Sequence, residues 1–390
     1  MKKLPIKAII CTAISVAIIS STATFLFVDK FYLKANKEVI NKLNEIQYLL
    51  DEEYYYALNN DDFVDSVADA YVNNYGDKYA EYYTKVEADA EKSKTVGNSF
   101  GIGVLATSTT GKGSVYIWRV FENSTADAAG IKSGDIITGI DGKSTLDLGY
   151  AKSILKITSN KEKEIKLTVL RGETYKKFTI KCAENEVQSV YGEFLTKEKL
   201  GYLSITEFNK KTYVQFKTLM DEYEKSGAKG YILDLRHNGG GTVDAAAKML
   251  DSLLPKGDTI RVKTKDGKIT VRNKSDKNHI EKPIVILQDT ATASSSEIFI
   301  SAMRDFGAAT IIGDKTFGKS VIQRYYDLDD GSRVKFTVAE FVNKKGESFN
   351  EVGIKPDFNM KEDMPKLKDF YFLKREDDAV FIKAVELLTN

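Results

Sequence analysis

The sequence is poor in cysteine, histidine and proline, and each shortage excludes a class of protein. Only two of its 390 residues are cysteine, Cys11 and Cys182, so neither a disulfide framework nor a cysteine-based metal site can be built. Two histidines, His237 and His279, leave few candidates for an imidazole base. Five prolines, with 42% apolar and 29% charged residues, are typical of a globular chain. A formal charge of +1 provides no general attraction for nucleic acid.

One long uncharged run stands near the N-terminus, over residues 8–28. At about 1.5 Å per residue, a helix of this length crosses a hydrocarbon core of roughly 30 Å. Three lysines precede the run, which favours a cytoplasmic N-terminus with the rest of the chain outside. The run is either a signal-anchor or a cleaved signal peptide, because the small residues 21–23 suit a processing site. We therefore expect an extracytoplasmic body that is attached to the membrane through residues 8–28 or secreted.

The remaining chain changes its periodicity twice. Residues 35–96 read as helices, with an apolar stripe that serves either core packing or contact with a second copy in a homodimer. Between about 97 and 184, short alternating strands and glycine turns indicate a β-rich domain, in which EIKLTVLRG and YKKFTIKC form a hairpin. From about residue 190 strands alternate with helices, which predicts a mostly parallel sheet. Residues 361–390 read as a helical tail.

Three consecutive serines lie between a buried strand and an apolar helix in TATASSSEIFISAMRDFG. Ser294 and Glu297 form a Ser-x-x-Glu capping box, which by itself explains the serines as a helix start. The same place is the carboxyl edge of the predicted sheet, where sites of α/β proteins form. Backbone amides at the helix start can also hold a developing oxyanion. A serine nucleophile would in addition require a base.

Two residue types could supply that base. His237 follows Asp234 in LDLRHNGGG, but an aspartate so close in sequence is badly placed to orient a histidine toward a distant serine. His279 lies in a charged loop. Lys319 enters a strand after a glycine turn, with Gln323 four residues later on the same strand face. Burial lowers the pKa of a lysine, and the amide of Gln323 could orient the neutral amine, but spacing alone does not select this base.

The triple-glycine stretch HNGGG (237–241) joins a buried strand to a helix. Glycines let the backbone approach a ligand closely, so their amides could donate to an oxyanion or a phosphate. A P-loop is excluded because no Gly-Lys-Ser or Gly-Lys-Thr follows. The alternative is a tight turn between strand and helix.

In their order along the chain, seven blocks resemble the carboxyl-terminal processing peptidases, which are membrane-associated or secreted serine proteases with an inserted PDZ domain. The resemblance runs from about residue 40 to 390 and implies a mixed α/β fold, with a crotonase/ClpP-like αβ protease core, a β-rich PDZ domain and an N-terminal helical region. The blocks are GDKYAEYYT, SFGIGV, AGIKSGDIITGIDGKS, LDLRHNGGG, TASSSEIFISAMRD, GDKTFGKSVIQ and GIKPD. The implied boundaries are 1–30 for the signal-anchor or signal peptide, 31–96 for the helical region, 97–184 for the PDZ domain, 185–360 for the peptidase core and 361–390 for the tail.

Carried onto this sequence, the resemblance implies acyl transfer with Ser294 as nucleophile, Lys319 as general base and Gln323 as the support of the lysine. The amides of Ser295 and Gly240 are implied as the oxyanion hole. Ser295 stands where the family usually has alanine, which leaves open which hydroxyl attacks. The resemblance implies neither a cofactor nor a metal.

SFGIGV resembles the carboxylate-binding loop of PDZ domains, whose amides hold a free C-terminus while the adjacent strand edge pairs with the peptide. The residues implied are Phe100, Gly101, Ile102 and Gly103, although the glycines alternatively serve a β-bulge. We expect protein substrates with unstructured, apolar C-terminal tails, and no nucleic-acid partner. The alternative function is a catalytically silent, membrane-tethered PDZ scaffold, which would need none of the catalytic residues.

Overall fold

In the computed structural model the chain is described over residues 37–56, 63–108, 114–361, 364, 370 and 373–390. The predicted membrane segment, residues 8–28, lies outside these ranges. Across the described ranges, no helix combines the length and apolar character that a membrane span requires. The chain divides into two compact units, Met1–Ser66 and Val67–Asn390.

The predicted N-terminal helices are present, but a strand interrupts them. No residue of the first helix is buried in the described structure, and its apolar side chains Ile40, Leu43 and Ile46 are exposed. The helix before the β-rich domain starts at a capping box, in which Glu87 accepts from the Thr84 amide at 2.9 Å. The elements are α1 (Lys37–Glu53), α2 (Phe63–Asn73), β1 (Glu81–Tyr83) and α3 (Lys85–Val96).

A small β-rich domain follows, as its alternating pattern predicted. Its main sheet has the order β3-β4-β5-β7-β8, with β6 beside β5, and a separate pair joins β2 to β9. The predicted hairpin is confirmed, because β7 and β8 pair antiparallel. Inward-facing residues such as Ile117, Ile137 and Leu167 form its core. The elements are β2 (Asn98–Gly101), β3 (Val104–Ser108), β4 (Val115–Val120), α4 (Thr125–Ala128), β5 (Ile136–Ile140), β6 (Lys143–Ser144), α5 (Thr145–Leu148), α6 (Tyr150–Ser159), β7 (Glu164–Arg171), β8 (Thr174–Lys181) and β9 (Ala183–Glu186).

The rest of the chain builds the predicted mostly parallel sheet and a second, antiparallel one. The first has the order β10-β11-β12-β15-β16-β19, and only β10 runs antiparallel to its neighbour. The elements are β10 (Val190–Leu195), β11 (Leu200–Ile205), α7 (Thr212–Lys225), β12 (Gly230–Asp234), α8 (Val243–Leu253), β13 (Gly257–Thr264), β14 (Ile269–Ser275), β15 (Ile284–Gln288), α9 (Ser295–Asp305), β16 (Thr310–Gly313), β17 (Val321–Asp327), β18 (Arg333–Val342), β19 (Phe358–Asn359) and α10 (Ala379–Thr389).

Successive residues of the parallel strands face two different cores, because side chains alternate across a strand. Leu233 and Ile286 pack with helices α7, α8 and α9 on one face. Ile232 and Val285 pack with α10 on the other face. Burial on both faces explains why these strands are continuously apolar in sequence.

The antiparallel sheet connects the segment before the β-rich domain to the segment after the serines. Strand β18 pairs with β17 on one side, and with β1 and β13 on the other. The register places Gln323 opposite Thr337, and Glu81 opposite Lys335. Residues from widely separated parts of the sequence therefore meet around β17 and β18.

Only part of the predicted helical tail, residues 361–390, lies within the described ranges. Residues Ala379–Thr389 form α10, whereas Arg375–Asp377 form a single 3-10 turn. Asp378 caps α10 by accepting from the Phe381 amide at 3.1 Å. The same carboxylate forms an ion pair with Arg236, at 2.7 Å, which ties the helix to the end of β12.

Candidate active site

The three serines occupy different environments at the start of α9. Ser294 is partly exposed and lies in the left-handed region, with φ 57° and ψ −120°. Such a conformation is rare for a residue other than glycine and is strained. Ser295 and Ser296 are fully buried, and their hydroxyls donate to the carbonyls of Gly241 at 2.8 Å and Asn238 at 3.0 Å. Of the three hydroxyls, that of Ser294 is therefore the accessible one.

A buried carboxylate joins the serine loop to the lysine turn. Glu297 Oε2 accepts from the backbone amides of Ser294 at 2.9 Å and Lys319 at 2.7 Å. Its Oε1 accepts from the Gly318 amide at 2.7 Å and the Thr316 hydroxyl at 2.5 Å. The Ser294–Glu297 contact confirms the carboxylate half of the predicted capping box. Because all four donors converge on one side chain, the turn that carries Lys319 is held beside Ser294.

The amine of Lys319 lies in a half-buried environment against an aromatic ring. Its Nζ stands 4.4 Å from the centroid of the Tyr79 ring. Burial, together with the nearby charge of Lys335, lowers the pKa of Lys319, against the opposing attraction of Glu81 and Asp77. Within the described ranges, no carboxylate forms an ion pair with this amine. A lysine in such a place reaches its neutral form more readily than a surface lysine.

Gln323 lies on strand β17. Hydrogen bonds through Thr337 link it to Asp77 rather than directly to Lys319. Its Nε2 donates to the Thr337 hydroxyl at 3.1 Å. Thr337 in turn donates to the Asp77 carboxylate from its amide at 2.7 Å and from its hydroxyl at 3.1 Å. No hydrogen bond joins Gln323 to Lys319 among the residues that the structure describes. The predicted support of the lysine by this glutamine stays a prediction.

The triple-glycine turn packs directly against the serine loop. A side chain at Gly240 would place its β-carbon 2.8 Å from the Ser294 β-carbon and 2.9 Å from the Ser295 amide nitrogen, so only glycine fits. Asn238 joins the two loops, because its carbonyl accepts from the Ala293 amide at 3.0 Å. The Gly240 amide donates to Asn238 Oδ1 at 2.8 Å. Gly240 is thus beside Ser294 as predicted, but its amide already has an acceptor in this structure.

The histidine alternative has a different set of contacts. His237 Nδ1 lies 3.0 Å from Asp289, and its ring packs edge-on against Phe370 with 4.1 Å between the centroids. Burial lowers its pKa, against the attraction of Asp289. Asp234 does not orient it, because that carboxylate is bound by Arg236 at 2.6 Å. These contacts are those of a residue that stabilises the turn, which is the structural reading of His237.

The residues on either side of the glycine loop of the β-rich domain, Phe100 and Val104, line a groove. A cavity of about 570 Å³ is lined by Phe100, Leu105 and Leu155 of this domain and by Val86 and Ala90 of α3. Strand β3, which follows the loop, is at the edge of its sheet in the described structure.

The loop residues predicted to bind a carboxylate have distinct environments. The side chain of Ile102 is buried in the domain core and does not line this groove. A β-carbon at Gly103 would lie 2.3 Å from that of Ser124, and the Gly101 carbonyl accepts from Asn185 at 3.1 Å. Any capture of a carboxylate by this loop would therefore use backbone amides.

The structure also identifies residues that the sequence interpretation left without a role. The sequence indicates Glu297 only as a capping residue, and Asn238 only as part of the glycine turn. Asp77 and Tyr79 belong to the block GDKYAEYYT, which carried the family resemblance but no assignment. The sequence did contain a signal for these two residues. Their block shares the family resemblance although it lies before the β-rich domain, which indicates a role outside that domain. Its location beside Lys319 depends on the pairing of β1 with β18.

Comparison with known proteins agrees with this architecture. Residues 199–360 match the family described as "Peptidase family S41", and residues 100–182 match "PDZ domain". A "Probable CtpA-like serine protease" of Staphylococcus aureus (strain MRSA252) is 31% identical over 395 residues, covering 98% of this chain and 78% of the relative. "Carboxy-terminal processing protease CtpA" of Bacillus subtilis (strain 168) is 33% identical over 328 residues, covering 83% of this chain and 69% of the relative.

A solved structure shows the same fold at lower identity. The photosystem II D1 C-terminal processing protease superposes with a TM-score of 0.51 and 22% identity, over 89% of this chain and 90% of that one.

Proposed function

Because this chain belongs to peptidase family S41, and is a serine peptidase of the carboxy-terminal processing type with a PDZ domain, we propose that Ser294 is its nucleophile and Lys319 its general base. The observation that carries the assignment is the Glu297 carboxylate, whose Oε2 accepts from the amides of both residues. The partial exposure of Ser294, set against the buried and bonded hydroxyls of Ser295 and Ser296, supports the choice among the serines.

The proposed reaction is acyl transfer in two steps. Neutral Lys319 takes the Ser294 proton as Oγ attacks the peptide carbonyl, and the lysine then gives that proton to the leaving amine. Water gives a proton to Lys319 as it attacks the resulting ester, and the lysine returns that proton to Ser294 Oγ as the acid product leaves. Gln323 is proposed to support the lysine from strand β17, which begins just after Lys319.

The developing oxyanion is proposed to bind the backbone amides of Ser295 and Gly240. Both amides belong to segments that adjoin Ser294. In the resting structure the Gly240 amide donates to Asn238. Its use in the reaction therefore requires that bond to be shared with the substrate oxygen or exchanged for it.

We propose that the PDZ groove receives the free C-terminus of an unstructured, apolar protein tail. Strand β3 is the edge strand of its sheet in the described structure, where a peptide strand would add, and apolar residues such as Leu105 and Leu155 line the cavity beside it. The ammonium of Lys161 lies 4.9 Å from the Phe100 ring at the same cavity and would attract a carboxylate. The amides of Gly101, Ile102 and Gly103 are the proposed donors to that carboxylate.

The location and assembly of the chain are further proposals. The uncharged run over residues 8–28 would hold the protein at a membrane, or direct its secretion, with the peptidase outside the cytoplasm. The exposed apolar residues Ile40, Leu43 and Ile46 of α1 would contact a second copy in a homodimer.

The proposed function is tested by the cleavage of an unfolded protein that ends in an apolar tail. The full-length wild type should cleave it, while Ser294→Ala and Lys319→Ala should be inactive although folded by circular dichroism. A substrate that ends in two aspartates should be cleaved more slowly if the tail is read. Full activity of Lys319→Ala would exclude lysine as the base, and activity that survives in Ser294→Ala but not in Ser296→Ala would move the nucleophile.

A further inference from the structure

The segment Asp77–Tyr83 precedes the PDZ domain, yet it forms one wall of the catalytic site. Its strand β1 pairs with residues 333–335 of β18, and its Asp77 carboxylate accepts from the Thr337 amide of the same strand. Tyr79 lies within this segment, and the face of its ring is 4.4 Å from Lys319 Nζ. The neighbouring Lys78 ammonium is farther from the ring, at 5.2 Å, and is bound by Glu351 at 2.7 Å. The ring therefore lies closer to the amine of the proposed base, Lys319, than to the ammonium of Lys78.

The hydroxyl of Tyr79 does not explain why a tyrosine is placed here. It is buried and makes no hydrogen bond of good geometry among the described residues, and its one charged neighbour there with which it interacts is the Lys78 ammonium. A buried hydroxyl without a partner is unfavourable relative to a phenylalanine of the same shape. The closer of the two cations at the ring is the Lys319 amine, at 4.4 Å from its centroid. The backbone that carries the ring is held by a hydrogen bond, because the Tyr79 amide donates to Asp77 at 3.0 Å.

We propose that Tyr79 is a positioning residue of this peptidase, whose ring covers the Lys319 amine and keeps water away from it. The proposal rests on Lys319 being the base, as proposed above. A general base must spend part of its time neutral, and exclusion of water is what disfavours the charged form of an amine.

Two effects of the ring act in opposite directions, and their sizes decide the prediction. The ring face attracts an ammonium, which raises the pKa of Lys319. Covering the amine removes water, which lowers its pKa, and full burial of a lysine can lower it by about 3–5 units. Burial is the largest cause of the lowered pKa of Lys319, ahead of the charge of Lys335. The charged groups that face this amine are Asp77, Glu81, Glu297 and Lys335.

The test compares Tyr79→Phe, Tyr79→Leu and Tyr79→Ala in the full chain by the pH profile of kcat/KM. Phenylalanine keeps the cover, so its acid limb should coincide with that of the wild type. Alanine admits water, so its acid limb should move by about one unit to higher pH, with a roughly tenfold loss at neutral pH that is recovered in alkaline solution. Leucine should be intermediate, and it serves as the main comparison if the alanine variant does not fold. Tyr75→Ala, at an exposed tyrosine before the segment, is the control for the loss of a ring.

A second measurement does not depend on activity. Reductive methylation of Lys319 by formaldehyde and cyanoborohydride requires the neutral amine, and mass spectrometry of the Ser294→Ala protein gives the pH of half-maximal labelling. That pH should rise in Tyr79→Leu and stay constant in Tyr79→Phe. An acid limb and a labelling midpoint that do not move in Tyr79→Leu would overturn the role of Tyr79. If Lys319→Ala is inactive in the same experiment, the proposed function stands while this inference fails, and if it is fully active, the proposed function fails first.

Discussion

The backbone amides of Ser294 and Lys319 donate to the same atom, Oε2 of Glu297, at 2.9 and 2.7 Å. The two residues are 25 positions apart in sequence. Ser294 lies between β15 and α9, and Lys319 lies between β16 and β17, so no local sequence pattern predicts that they meet. A carboxylate that accepts several amides is a strong and directional anchor. The glutamate of a helix cap has here become the link between two catalytic loops.

Replacement of Glu297 by glutamine tests whether this carboxylate aligns the catalytic loops or only caps the helix. A glutamine has one acceptor oxygen, so one of the two pairs of donors would face its NH2 group. We expect about 1–3 kcal/mol lower stability in urea unfolding, because a buried donor loses its acceptor. We also expect kcat to fall by about 10- to 100-fold, because a small misplacement of catalytic groups has effects of this size. Glu386→Gln, in α10, is the control, and an unchanged kcat in Glu297→Gln would show that the link is structural only.

The second prediction concerns which of the three serines is the nucleophile. Ser294→Ala should abolish peptide cleavage while leaving the fold intact, because the hydroxyl attacks the substrate. Ser296→Ala should retain activity and lose about 1 kcal/mol of stability, because it removes a buried hydrogen bond to the Asn238 carbonyl. Cleavage rates and urea midpoints of the same preparations distinguish these results. The reverse pattern of activities would contradict the assignment.

The protonation of Lys319 should set the acid limb of the pH profile. Burial lowers the pKa of Lys319, so the neutral base becomes available below the usual range of lysine titration. The kcat/KM of the wild type should therefore rise as pH increases and level off once the amine has lost its proton. Lys319→Arg should stay inactive across the range, because a guanidinium remains charged. A profile that falls with increasing pH over this interval would be incompatible with a lysine base.

The C-terminal helix should depend on one buried ion pair. Arg236 is held between Asp234 at 2.6 Å and Asp378 at 2.7 Å, and all three side chains are almost fully buried. Asp378→Ala leaves part of the guanidinium unpaired and removes the cap of α10, so stability should fall by about 3–5 kcal/mol. Asp377→Ala, at the exposed neighbour, should have almost no effect. Equal urea midpoints for the two variants would show that the pair contributes little.

The sequence by itself determined the periodicity of the elements and the order of the motifs. Continuous apolar runs such as GYILD and IVILQ predicted strands buried on both faces, and the structure has them as β12 and β15. The shared blocks predicted a serine peptidase with a PDZ domain. Both inferences depend on local pattern or on motif order, which a linear chain displays directly.

Only the tertiary structure decided which groups meet. Sequence spacing could not distinguish Ser294 from Ser295 and Ser296, because the distinction is that the hydroxyls of the last two reach carbonyls of the glycine turn across the fold. It read residues 81–83 as part of a helical region, although they form a strand because β18 is there to pair with them. The burial that lowers the pKa of Lys319, and the ring of Tyr79 beside it, come from segments about 240 residues apart. Contacts of that range depend on the whole packed chain, and no window of sequence contains them.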